Sequence, residues 1–151
     1  MANTYTQIII QIVFSTLGRE NLIRESFREE LEKYITSIIQ NDGSKLLSIY
    51  CMPDHCHALI GLHPQESVSN LVKNVKSKSS KWIAERKFVK GKFSWQIGYG
   101  AFSYSRDSLD NVVKYILNQP QHHEKDQQDF KAEYIRLLKE FKIDYDDRYV
   151  F

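Results

Sequence analysis

An α+β fold built on an antiparallel sheet is what this sequence predicts, on three observations. Two short runs rich in apolar residues lie on either side of Pro53-Asp54, close enough to pair as a hairpin. The segments flanking that hairpin carry apolar residues at helical spacing, so a helix joins it to what comes before and after. The resulting order is β-α-β-β-α-β with two further helices, which is a ferredoxin-like (RRM-like) sheet with helices packed on it.

Each element has its own local reason. Residues Thr4 to Thr16 are dense in β-branched and aromatic types and hold no breaker, so a buried strand is expected there. From Asn21 onward Phe27, Leu31, Tyr34, Ile35 and Ile38 recur at helical spacing, and Asn41-Asp42-Gly43 ends the run. Strands follow at Lys45 to Met52 and His55 to Leu62. A helix then opens near Ser67 and runs to about Lys87, with Val68, Leu71, Val72, Val75, Trp82 and Ile83 as its apolar stripe. Phe93 to Ser105, aromatic and spaced by glycines, suits a strand with a bend. Asp107 or Ser108 can cap the next helix, which carries Leu109, Val112, Val113, Ile116 and Leu117 and is expected to halt at Pro120. The last helix, about Gln127 to Phe141, turns Phe130, Tyr134, Leu137, Leu138 and Phe141 to one side.

Length and composition narrow the class. At 151 residues, 1–151 reads as a single domain, since two cores would each be small. No run approaches the roughly 20 apolar residues of a membrane helix, and the first residues lack the marks of a signal peptide. Cys51 and Cys56 are too few and too close to staple a secreted scaffold, so a reducing cytoplasm is the expected location. Net charge is only +2, but between Ser67 and Lys92 a run of lysines and Arg86 is opposed by Glu85 alone. Such a stretch is either a phosphate-binding face or a solvated lysine-rich helix.

The segment most informative about chemistry is Cys51-Met52-Pro53-Asp54-His55-Cys56-His57. On a strand, His55 and His57 project from one face while Cys56 faces the other. Two imidazoles side by side can chelate a divalent ion, although chance placement on a polar face gives the same pattern. Structural zinc using Cys51 is a third reading, weakened by Pro53 and by the lack of a second Cys/His cluster at standard spacing. Further on, Tyr115 and Gln119 are i and i+4, on the edge of an apolar stripe. Tyr115 is there either as a packing residue or as a hydroxyl presented to a site. Tyr104 and Tyr99 are rivals without a glutamine four residues on. His122 and His123, beyond Pro120, read as surface, and Asp54 as a turn residue.

Taken together, Phe14-Ser15-Thr16, Met52-Pro53-Asp54-His55-Cys56-His57, Lys78-Ser79-Ser80-Lys81-Trp82, Trp95 to Phe102 and Tyr115-x-x-x-Gln119 resemble the single-tyrosine HUH transposases of small insertion sequences. The resemblance spans nearly the whole chain, and departs where Cys56 replaces a large hydrophobe. It implies an HUH endonuclease type of fold. It also implies that His55, His57 and Gln119 bind Mg²⁺ or Mn²⁺ and that Tyr115 is the nucleophile forming a 5′-phosphotyrosine. The implied partners are single-stranded DNA with hairpin ends and a second copy of the chain in a homodimer. Lys76, Lys78, Lys81 and Arg86 are candidates to track phosphates, with Trp95, Tyr99 or Phe102 available to stack bases or to fill the core. Two further readings stay open: a host-adopted relative acting on chromosomal hairpin repeats, and a non-catalytic nucleic-acid-binding module on the same sheet.

Overall fold

Alternation along β1 (Ile9–Ser15) organises the molecule. In a computed structural model, which describes residues 3–125 and 129–150, every residue of this strand is buried. Ile10, Ile12 and Phe14 enter one apolar cluster, while Ile9 and Val13 enter two others on the opposite side. A strand covered on both faces shows no alternation of apolar and polar residues, which is why its sequence is mostly apolar, with Gln11 and Ser15 as buried polar exceptions. The strand is shorter than Thr4 to Thr16, because residues 4–8 are exposed and precede the pairing.

Strands β2 (Lys45–Cys51) and β3 (His55–Gly61) form the expected hairpin, and β4 (Gly100–Tyr104) completes a sheet of order β2-β3-β1-β4. Every pairing is antiparallel; Ile12 stands opposite Ala58, and Ser15 opposite His55. This is the ferredoxin-like order the element sequence implied. Only five residues of the Phe93–Ser105 segment form a strand. The rest is held irregularly, with Trp95 bridging Thr16 and its Nε1 donating to Ser79 Oγ at 2.9 Å.

Helices α1 (Glu25–Asn41) and α2 (Val68–Arg86) cover one face. Their buried residues, among them Leu31, Ile35, Leu71 and Val75, pack with Cys56, Ala58 and Ile60 of β3. Ser67 caps α2 by accepting from the Asn70 amide. Helices α3 (Leu109–Leu117) and α5 (Phe130–Glu140) cover the other face, against Ile9, Val13 and Leu59. Neither Asp107 nor Ser108 caps α3 with its side chain; residues Arg106–Ser108 form a 3-10 turn leading into it. Pro120 does not end helical structure. It sits in the first turn of a separate helix, α4 (Gln119–Lys125), where a missing N–H costs nothing. Gln127, the expected start of the last helix, lies outside the described residues, and α5 is capped by Asp129 accepting from Ala132 N.

Trp95 makes edge contacts with Phe14 and Phe93, both at 4.8 Å between ring centroids. Trp95→Ala is therefore expected to cost about 3–5 kcal/mol in urea unfolding. Trp95→Phe, losing mainly the bond to Ser79, is expected to cost about 1 kcal/mol. A Trp95→Ala loss below about 1 kcal/mol would show that the segment is only loosely docked.

Candidate metal and tyrosine site

The second sheet face carries the chemistry. His55 and His57 both project from β3 toward the α3–α5 layer, and they are 1% and 0% exposed. Cys56 points the other way, its S–H donating to Cys51 within the α1/α2 core, where burial pushes the thiol pKa well up. Cys51 thus lies across the sheet from the histidines, which removes the structural-zinc reading that used it.

Each imidazole is fixed from behind. His55 Nδ1 donates to Asp54 Oδ1 at 2.7 Å, and His57 Nδ1 donates to Gln11 Oε1 at 2.6 Å. Gln11 in turn donates through Nε2 to the Tyr104 hydroxyl at 2.7 Å. With Nδ1 committed, both Nε2 atoms are turned inward, the arrangement that orients ligating histidines elsewhere. Asp54, for which turn formation was sufficient reason, also orients His55.

What they turn toward is Glu133, on α5. Its Oε1 lies 3.3 Å from His55 Nε2 and 3.1 Å from His57 Nε2. Oε2 accepts from Gln119 Nε2 at 2.8 Å and from the Tyr115 hydroxyl. Gln119 is fully buried, with Oε1 3.1 Å from His55 Nε2. Arg136 Nη2 donates to the Tyr115 hydroxyl at 2.9 Å. Tyr115, His55, His57 and Gln119 are thus brought together within one chain. His123, expected at the surface, joins them: its Nε2 is 3.1 Å from both Gln119 Oε1 and Glu133 Oε1.

Charge in the site is strongly coupled. Burial alone would raise the Glu133 pKa, but His57, His123 and His55 hold this carboxyl well below the usual carboxylate range. Burial opposes protonation of His55, yet the Asp54 and Glu133 carboxylates outweigh it and bring the pKa up to about 9. His57 goes the other way, its pKa lowered by burial. Burial, with the Glu133 charge beside it, pushes the Tyr115 hydroxyl far above an ordinary phenol.

The donor set fits a divalent cation. With its Nδ1–H given to Gln11, His57 turns Nε2 toward Glu133 Oε1 at 3.1 Å, and a cation bound by the deprotonated nitrogen and the carboxylate together would satisfy both. His55, His57 and Glu133 place their ligand atoms within 4.8 Å of one another. Glu133, Gln11 and His123 escaped the sequence reading. For Glu133 a signal existed: it is an acid set between Phe130, Tyr134 and Leu137 on the apolar side of its helix.

The basic residues lie elsewhere. Lys76, Lys78, Lys81 and Arg86 are on α2, across the sheet from the histidines. Lys76 Nζ donates to the carbonyls of Gln96 and Gly98 at 2.7 and 2.5 Å, and burial brings its pKa down to about 8. The other three are exposed; Lys81 is near Glu85, and Arg86 near Glu30. Beside them a groove of about 570 Å³ is lined by Val72, Lys73, Lys76, Trp95, Ile97 and Tyr99. Phe102 and Trp95 are core residues, at 2% and 9% exposure.

A paired-histidine strand beneath a tyrosine helix, on a ferredoxin-like sheet, makes a candidate metal and tyrosine site, and comparison with known sequences gives the family. The family described as "Transposase IS200 like" matches residues 4–119, and the chain belongs to it. It is 24% identical over 122 residues to the ISDra2 transposase TnpA of Deinococcus radiodurans, covering 75% of this chain and 84% of that protein. Among solved structures, a candidate transposase from Deinococcus radiodurans R1 superposes with a TM-score of 0.64 at 22% identity, over 79% of this chain and 95% of the other. A REP-associated tyrosine transposase bound to a REP hairpin gives 0.61 at 14% identity, over 82% and 73%. Both share the fold. No helix among the described residues is long and apolar enough to cross a membrane.

Proposed function

We propose that the chain cleaves and rejoins single-stranded DNA through a covalent link to Tyr115, with a divalent ion held by His55, His57 and oxygens of Gln119 and Glu133. The observation that carries this is convergence: the Tyr115 hydroxyl and both imidazole Nε2 atoms meet on the one Glu133 carboxylate. Tyr115 Oη attacks the scissile phosphorus and gives up its proton to solvent, the bond from phosphorus to the 3′-oxygen breaks, and the 3′-oxygen takes up one proton from solvent and leaves as a hydroxyl. The products are a 5′-phosphotyrosine and a free 3′-end that later reverses the step on the same linkage, so no nucleotide triphosphate is consumed. Glu133 Oε2, which accepts from Tyr115 Oη, holds that hydroxyl in place, and Arg136 brings positive charge to the oxygen and to the incoming phosphate. A bound Mg²⁺ or Mn²⁺ supplies charge to the non-bridging phosphate oxygens.

Single-stranded DNA with hairpins is the proposed substrate; the REP hairpin held by a structural relative supports it. Lys78, Lys81 and Arg86, exposed on α2, are proposed to follow its phosphates, with Lys76 fixing the neighbouring loop. Because one chain offers one such tyrosine and strand exchange needs two cleavages, a homodimer is the proposed working unit, checked by sedimentation with and without DNA. Against the binding-module reading stands the sheet itself: β1 and β3 are covered on both faces and leave no open stacking platform.

The test is a labelled hairpin substrate incubated with protein and Mn²⁺. A denaturation-resistant protein–DNA band that disappears with chelator is the expected result. Tight DNA binding without any such band, across varied hairpins, would make the chain a binding protein. Gln11→Ala, which frees His57 Nδ1, is expected to weaken Mn²⁺ binding by about 10–100-fold while the fold persists. Unchanged affinity in a calorimetric titration would reduce Gln11 to a packing residue.

A further inference from the structure

We infer that His123 is an additional ligand of this site, making it a three-imidazole pocket that prefers a first-row transition ion such as Co²⁺ to Mg²⁺. The inference rests on the proposed metal site and deepens it by naming the ion class. Three observations carry it.

The first is spacing. His55 Nε2 to Gln119 Oε1, His57 Nε2 to Glu133 Oε1, and His123 Nε2 to each of those oxygens are all 3.1 Å, and His55 Nε2 to Glu133 Oε1 is 3.3 Å. Adjacent ligands around one six-coordinate ion, at bond lengths near 2.1 Å, stand about 3.0 Å apart. His123 therefore keeps the same spacing to its neighbours as the two strand histidines do.

The second is donor chemistry. Three imidazole nitrogens beside a single carboxylate and an amide oxygen suit borderline ions, whereas Mg²⁺ favours an all-oxygen shell. The third is burial. His55, His57, Gln119 and Glu133 are at most 1% exposed, and the His123 side chain is 13% exposed. Mg²⁺ gives up its waters reluctantly and usually keeps several; a pocket this enclosed asks it to lose most of them. Sequence spacing concealed His123 because α4 begins beyond α3, and Pro120 reads as a stop.

The test uses the full chain with Co²⁺ and Mg²⁺ separately by calorimetry, and with Mn²⁺ by pulsed electron paramagnetic resonance to count coupled nitrogens. Expected are one Co²⁺ bound at least about 100-fold tighter than Mg²⁺ and three nitrogen couplings. In His123→Ala, Co²⁺ affinity falls about 10-fold or more and two couplings remain, while His63→Ala changes neither. Two couplings in the unaltered chain, or Mg²⁺ bound as tightly as Co²⁺, overturns the inference and leaves the proposed metal-dependent cleavage standing. No bound divalent ion of any kind overturns both. The nitrogen count in the unaltered chain decides the matter even where a variant fails to fold.

Discussion

Tyr115→Phe is expected to eliminate the covalent protein–DNA band, lowering its rate of formation on the order of 10³-fold or more, as removal of a nucleophile does elsewhere. The substitution deletes one oxygen and keeps the ring, which packs near His57 and His122. It releases Glu133 Oε2 from one hydrogen bond while Gln119 still donates to it. The fold should therefore survive, and metal and DNA affinities should stay within a few-fold. An adduct of undiminished yield would move the nucleophile to another tyrosine. Tyr104 is then the first to test, since its hydroxyl already accepts from Gln11 beside His57.

Glu133→Gln is expected to lose both stability and metal binding. Among the described residues the carboxylate is the one anion facing His55, His57 and His123 together, and it is fully buried. Removing one member of a buried charge cluster commonly costs about 3–5 kcal/mol, because the partners stay desolvated without compensation. Here the imidazoles can shed protons, so a loss of about 3 kcal/mol, measured as a shift in the urea midpoint of metal-free protein, is the expected size. Calorimetry should show divalent-ion affinity reduced by 10-fold or more in the same variant. A change below about 1 kcal/mol together with unaltered metal binding would leave Glu133 a passive filler.

The two halves of the site differed in how far local pattern revealed them. His55 and His57 were legible because the two-residue period of a strand sends them to one face regardless of what lies beyond it. The pair Tyr115 and Gln119 was legible for a similar reason, one helical turn apart, although a helix boundary now separates them. Glu133 comes from a helix whose amphipathic side shows that it packs, and not what it packs against. Its link to His57 spans 76 residues of sequence. Gln11 was hidden inside a run read as a buried strand on its β-branched and aromatic content. The length of β1 was overstated because β propensity continues into residues 4–8, whereas pairing with β3 and β4 does not. The helix carrying Leu109 to Leu117 does stop before Pro120; the short helix that follows was missed because the same residue that breaks a helix interior is well tolerated in a first turn.

Glu133 and His123 reach the histidine strand from helices, so any ion they share with β3 ties the sheet to α4 and α5. Such a tie acts on the opening equilibrium of the carboxyl-terminal part, whose separation from the sheet would tear the ligand set apart. At an ion concentration 100 times its dissociation constant, the linkage amounts to about 2.7 kcal/mol, or roughly a 100-fold slowing of exchange wherever amides exchange through that opening. Deuterium uptake along residues Phe130–Glu140 thereby becomes a gauge of site occupancy, readable without DNA, substrate or turnover.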